Sequence, residues 1–95
     1  MRVRVHIPTV LRELTGGAAS VDVDLAGATA TVGAVFDAVG ITHAALERRI
    51  RDEHGLQRVH VNVFVGPDSI RDLRGMASPI AAGAEISILP AISGG

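Results

Sequence analysis

The chain has 95 residues, which suffice for one domain with a single core, and 47% hydrophobic against 20% charged residues excludes an intrinsically disordered protein. The formal net charge of −1 excludes the basic surface of a nucleic-acid-binding domain, and no apolar run reaches the ~18 residues of a membrane span, so we expect a cytoplasmic protein. Cysteine and lysine are both absent, which excludes a disulfide, a catalytic thiol and a side-chain amine.

Two alternating segments open the chain. Residues 2–7 and 20–25 each alternate apolar with polar side chains, as half-buried strands do, and their succession predicts an antiparallel hairpin. The connection is longer than a tight turn, and Val10 to Leu14 are predicted to form a helical turn within it. In this hairpin Arg2 and Arg4 face Asp22 and Asp24.

A helix is predicted next, because residues 32–39 carry apolar side chains at i, i+3, i+4 and i+7. Thr29 or Thr31 is expected to act as its N-cap, and Gly40 is expected to end it. A second helical stretch over residues 42–54 is rich in charge, which we interpret as a solvated face.

Two more strands are predicted after the helices. Residues 59–65 place four valines on one face, with Phe64 on the other, and a turn follows. Residues 69–83 have a mixed pattern, and residues 85–89 form a last strand that Pro90 ends.

This order of elements predicts an α+β fold in which a mixed sheet of four to five strands wraps around one main helix. Residues 1–90 form the domain, and residues 91–95 are predicted to be a flexible C-terminal tail.

No familiar catalytic arrangement is present in the sequence. Phosphate-binding and dinucleotide-binding motifs are absent, and the serines lack a nucleophile context. His6 and His60 could approach each other across neighbouring strands, but partly exposed sheet histidines are the favoured interpretation over a metal site. We therefore expect no enzyme activity and no bound metal.

The C-terminus points to a different chemistry. The chain ends in Ser93, Gly94 and Gly95, and without Cβ atoms the two glycines can enter a channel too narrow for other residues. The carboxylate of Gly95 would react only after a separate ATP-using enzyme converts it to an acyl adenylate. An external sulfur source could then displace AMP and leave a thiocarboxylate.

Several segments together form a recognisable pattern, namely residues 5–12 (VHIPTVLR), 15–17 (TGG), 61–65 (VNVFV), the turn at Gly83 and residues 88–95 (ILPAISGG). With them, the chain resembles the ubiquitin-like sulfur carriers of the ThiS/MoaD family over nearly its whole length. Within that family it is most similar to the CysO-type carriers that serve cysteine synthesis.

The resemblance implies a β-grasp fold and sulfur carriage as a Gly95 thiocarboxylate. It implies an E1-like adenylyltransferase/sulfurtransferase that uses ATP and magnesium. It also implies a sulfur-accepting enzyme, such as a cysteine synthase with pyridoxal phosphate, and a metalloprotease that releases the product. These cofactors belong to the partners, and none is expected on this chain. Molybdopterin, thiamin or a thiolated natural product are alternative destinations for the sulfur.

A docking surface is predicted beside the tail. Phe64 and Leu89 both point away from the core by strand parity, and with Ile92 they are the residues expected to contact the activating enzyme. Two other functions remain open for the same fold: a protein modifier joined through Gly95 to lysines of target proteins, and an interaction domain with an incidental tail.

Overall fold

The structure, a computed structural model, describes residues 1–90. The strands are β1 (Arg2–His6), β2 (Ser20–Asp24), β3 (Thr29–Thr31), β4 (Val61–Val65), β5 (Asp68–Ser69), β6 (Pro79–Ala81) and β7 (Glu85–Pro90). The helices are α1 (Val32–Thr42) and α2 (Ala44–Ile50), with 3₁₀ turns at Thr9–Thr15, Ile70–Asp72 and Gly75–Ala77.

A mixed sheet dominates the described part of the chain, with the order β2-β1-β7-β4-β5. β1 and β7 run parallel, and the other neighbours are antiparallel. Valine and isoleucine side chains on one face of this sheet pack with the buried face of α1, where Phe36 is fully buried. The predicted α+β class, with a mixed sheet around one main helix, is confirmed.

The opening hairpin has the predicted register. Arg2 lies opposite Asp24 and Arg4 opposite Asp22, and each pair forms an ion pair with an Nε–Oδ1 distance of 3.0 Å. The hydrogen bond from each arginine holds the pKa of its aspartate below the usual range. These charges therefore support the pairing of β1 with β2.

The main helix begins as predicted but ends later. The Oγ1 of Thr31 accepts a hydrogen bond from the backbone N–H of Ala34 at 3.2 Å, so Thr31 is the N-cap. The prediction that Gly40 ends the helix is wrong, because α1 continues to Thr42. Gly40 instead allows α2 to pack closely, since a Cβ there would lie 3.3 Å from the Cγ of Glu47.

The second helix is shorter than predicted, and its charges are not all solvated. α2 ends at Ile50, and Arg51 is extended and mostly buried. Its guanidinium bonds Glu47 at 2.5 Å and Asp37 on α1 at 2.8 Å. Burial disfavours the charged form of Arg51, but these two carboxylates outweigh it, and the pKa is raised. Arg51 thus joins the two helices.

The boundaries of the two site-bearing strands also differ from prediction. Val59 does not belong to β4: it is 75% exposed, and the strand begins at Val61. Val61 lies opposite Pro90, which is the final residue of β7 and not the residue that follows the strand.

A small second sheet was not predicted. β3 pairs antiparallel with β6, and Ile80 on β6 is buried in the main core. The three-residue strands are too short for alternation to reveal them. Gly83 follows, with a φ of 84° that favours glycine, and its N–H donates to the carbonyl of Arg2 as the chain enters β7.

Because β7 lies between β1 and β4, its buried side chains should govern stability. Ile88 is 1% exposed, and Ile88→Ala should lower the free energy of unfolding by about 2–5 kcal/mol. Ser87→Ala, on the other face of the same strand, should change it by less than about 1 kcal/mol. Urea denaturation of the two variants measures both values. Equal losses would contradict the assigned faces of β7.

Candidate functional site

The predicted reactive tail lies outside the described residues. This applies to Gly95, Gly94, Ser93 and the docking residue Ile92, so their roles stay predictions. The structure does describe the surface from which the tail leaves the domain, and that surface can be built from β7 and its neighbours.

β7 ends at an exposed residue, Pro90, after a strand that is paired on both sides. Ile86 and Ile88 are buried in the core, and the alternate residues Ser87 and Leu89 point to the opposite face of the sheet. The position of Pro90 is therefore fixed by the sheet, and any segment that follows it starts from a defined place.

We define the open face as the residues of β1, β4 and β7 whose side chains lie opposite the core around the end of β7: His6, Asn62, Phe64, Glu85, Ser87 and Leu89. Phe64 pairs with Ser87, and Leu89 pairs with Asn62. Phe64 and Leu89 are thus diagonal neighbours, which places their Cβ atoms about 7–8 Å apart or somewhat less. The structure brings these two predicted docking residues together.

The exposure of the two apolar residues differs. Leu89 is 48% exposed, and Phe64 is partly buried. In the segment after β4, Ile70 and Ile80 are buried in the core, whereas Leu73 is 46% exposed. An apolar contact surface therefore lies next to Pro90. Its use in docking stays a prediction.

Polar pairs border this surface. The Nε2 of His6 lies 2.7 Å from the Oε1 of Glu85, and Nη1 of Arg71 donates to the Oδ1 of Asn62 at 2.6 Å. The same Arg71 donates through Nη2 to the carbonyl of Val61 at 3.0 Å, next to the Val61–Pro90 pair. These hydrogen bonds restrain the polar side chains at the edge of the open face.

The proposed approach of His6 to His60 is not formed. β7 separates β1 from β4, so two strand spacings of about 4.8 Å lie between the two histidines, and His60 precedes β4. The partner of His6 is Glu85. Sequence reasoning missed this pair because it depends on the parallel pairing of β1 with β7, which spans almost the whole chain.

Clustered metal ligands and a membrane-spanning helix are both absent from residues 1–90. Within that range, no group of three or more histidine, aspartate or glutamate side chains is arranged to hold a metal ion. No helix in the same range is long and apolar enough to cross a membrane.

Comparison with known proteins adds three findings. The family described as "ThiS family" matches residues 5–95. The sulfur carrier protein CysO of Mycobacterium tuberculosis is 36% identical over 97 residues, covering 100% of both chains. Small archaeal modifier protein 1 of Haloferax volcanii is 35% identical over 79 residues, covering 83% of this chain and 85% of its own.

A solved structure agrees with the architecture. A chain in the crystal structure of the Amycolatopsis orientalis BexX/CysO complex superposes with a TM-score of 0.84 and 36% identity, covering 98% of this chain and 99% of its own. The predicted β-grasp fold is confirmed.

Proposed function

Because this chain belongs to the ThiS family, we propose that it is a sulfur carrier whose reactive group is the carboxylate of Gly95. The observation that carries the proposal is the extent of the family match, which runs through the terminal Gly94-Gly95 pair. The resemblance to a named sulfur carrier over the full length of both chains supports it.

The chemistry requires two steps on the terminal carboxylate. First, an oxygen of Gly95 attacks the α-phosphate of ATP, which forms the acyl adenylate and releases pyrophosphate. Second, a sulfide equivalent attacks the carbonyl carbon, so that a carbon–sulfur bond forms while the bond to AMP breaks. AMP and a proton leave, and the terminus becomes a thiocarboxylate. A partner enzyme supplies ATP, magnesium and sulfur.

The composition of the chain suits this sequence of steps. No lysine amine or cysteine thiol is present to attack the acyl adenylate on the same molecule or on a second copy. The sulfur must come from outside, because the chain has no cysteine and its two methionines are thioethers. The carrier is then a substrate of one enzyme and a donor to another, and performs no catalysis itself.

The recipient of the sulfur is proposed to be a cysteine-forming enzyme, in which the thiocarboxylate sulfur adds to an aminoacrylate held on pyridoxal phosphate. The name of the full-length relative, sulfur carrier protein CysO, favours this destination. A metalloprotease would then release the product from Gly95. The BexX/CysO complex supports the idea that such carriers act by assembling with a second protein.

The open face is the proposed docking surface for the activating enzyme. Leu89 is one residue before Pro90 and Phe64 is its diagonal neighbour, so a protein that takes the tail also meets both side chains. Ile92 is proposed to extend this apolar contact beyond Pro90.

Loss of the terminal glycines should abolish activation without affecting the fold. A chain that lacks Gly94 and Gly95 keeps every residue of the sheet and the core, so its denaturation midpoint should equal that of the full chain. ATP–pyrophosphate exchange with the adenylating enzyme of the same organism should fall to background. Normal exchange by the truncated chain would overturn the proposal, as would no exchange by the full chain.

Shortening the docking side chains should weaken binding to the activating enzyme more than it slows the adenylation step. Phe64→Ala and Leu89→Ala should each raise the KM for the carrier roughly three- to tenfold, because full burial of such a side chain contributes about 1.5–3 kcal/mol and both side chains are already partly buried in the free protein. Leu73→Ala is the matched control: Leu73 is 46% exposed, close to the 48% of Leu89, but follows the 3₁₀ turn Ile70–Asp72 and belongs to none of the three strands that form the open face.

Adenylation kinetics with the carrier as the varied substrate measure this effect, after circular dichroism has confirmed the fold of each variant. An unchanged KM for the Phe64 and Leu89 variants would exclude the open face as the docking surface. A similar rise for Leu73→Ala would show a general effect of apolar truncation instead.

A protein-modifier role is the second candidate, favoured by the similarity to small archaeal modifier protein 1. In that role Gly95 would join lysine amines of target proteins through an isopeptide bond. Affinity isolation from cell extract separates the two functions: a modifier gives a ladder of higher-mass conjugates, and a carrier gives free protein. We expect the free protein to dominate.

A further inference from the structure

A cleft of about 660 Å³ opens beside Pro90, on the side of β7 opposite the open face. It lies between the first 3₁₀ turn, α2 and the adjoining ends of β4 and β7. Arg48, Arg49 and Arg58 lie on its rim, and Pro90 is among the residues that line it. We call it the arginine cleft.

The rim of the arginine cleft carries three arginines without a direct ion pair, although Glu47, Asp52 and Glu53 lie near Arg48 and Arg58 around a neighbouring cleft. Arg48, Arg49 and Arg58 are all exposed, and none forms an ion pair with a carboxylate of residues 1–90. Arg2, Arg4 and Arg51 are each in an ion pair, whereas Arg12, Arg71 and Arg74, like the arginines of the cleft, have no carboxylate partner within residues 1–90. The cleft is distinguished by having three such arginines on one rim.

The position of these cations is set by the fold. Nε of Arg58 donates to the backbone carbonyl of Arg48 at 2.7 Å, which ties the segment before β4 to α2. Arg48 and Arg49 lie in the last turn of α2. A guanidinium group binds carboxylates through paired N–H donors, so the rim is suited to acidic side chains.

The floor of the cleft is apolar. Leu11, Val61 and Ile88 contribute the edges of buried side chains, and Val10 stands 65% exposed at the margin. An apolar side chain flanked by carboxylates would therefore match both parts of the surface: the apolar group covers the floor, and the carboxylates meet the arginines.

Chain length restricts which protein can cover the cleft. Pro90 lines it, and five residues follow to Gly95, which span at most about 17 Å when fully extended. An enzyme that acts on the carboxylate of Gly95 must bring its own surface within that distance of Pro90. Ile88 faces the cleft and Leu89 faces the open face, so such an enzyme meets both sides of the end of β7.

We infer that the arginine cleft receives an acidic segment with an apolar side chain from the enzyme that activates Gly95. The inference rests on the proposed function and adds a second, electrostatic contact to it. The open face contributes apolar contact, and the cleft contributes charge complementarity, which selects the partner and speeds its association.

Charge reversal on α2 tests the inference. Arg48→Glu/Arg49→Glu should raise the KM for the carrier in adenylation about tenfold or more, with kcat unchanged, because the Gly95 tail is intact. The KM of the unaltered chain should rise between about 50 mM and about 300 mM salt, and that of the variant should rise less. Arg48→Gln/Arg49→Gln removes the cations without adding anions and should give an intermediate KM.

The matched control is Arg74→Glu, compared with Arg49→Glu alone. Both variants make the same change in net charge at an exposed arginine that has no ion pair within residues 1–90, but Arg74 does not line the cleft, so the KM of its variant should stay within about threefold of that of the unaltered chain. Thermal unfolding of all variants checks the fold. If Arg48→Glu/Arg49→Glu is unfolded, the KM of Arg48→Gln/Arg49→Gln tests the inference in its place.

The outcomes separate the two proposals. An unchanged KM for the α2 variants, or an equal rise for the control, would overturn the arginine cleft and leave the sulfur-carrier proposal in place. Absence of adenylation of the unaltered chain would overturn both.

Discussion

The pairing of β7 on both sides fixes the position of Pro90, and the rest of the proposed site depends on this constraint. β7 is hydrogen-bonded to β1 in parallel and to β4 in antiparallel fashion, and Ile86 and Ile88 anchor it in the core. A strand held in this way cannot shift register without moving its apolar residues to the solvent face. Pro90 is consequently fixed in space, and the distance from the domain to the terminal carboxylate is set by the five residues that follow.

Because side chains alternate along β7, the two faces of the sheet next to Pro90 carry different types of residue. The side chain of Leu89 joins Phe64 on the open face, whereas Ile88 forms part of the floor of the arginine cleft. One side offers apolar contact bordered by the His6–Glu85 pair, and the other offers guanidinium groups around an apolar floor. In the proposed function, these two surfaces would both contact the enzyme that acts on the Gly95 carboxylate and so contribute to its specificity.

The sequence predicted those features that depend on local pattern or on neighbouring strands. The hairpin register with its Arg2–Asp24 pair, the N-cap at one of two threonines (Thr31 in the structure) and the outward direction of Leu89 all follow from alternation, capping and parity. Features that depend on distant contacts were missed. Gly40 allows close helix packing instead of ending α1, and the His6–Glu85 pair joins residues from the two ends of the chain. The arginines of α2 line a cleft because α2 packs near the end of β7, which a helical charge pattern does not reveal.

The central claim is that Gly95 carries sulfur, and mass spectrometry tests it most directly. Protein purified from a native-like host should contain a form heavier by about 16 Da, the result of replacing one carboxyl oxygen by sulfur. Oxidation of a methionine gives a nearly equal increment, so fragmentation of the C-terminal peptide must place the change on Gly95. An unmodified Gly95 carboxylate, even after incubation with the adenylating enzyme, ATP and sulfide, would contradict the account.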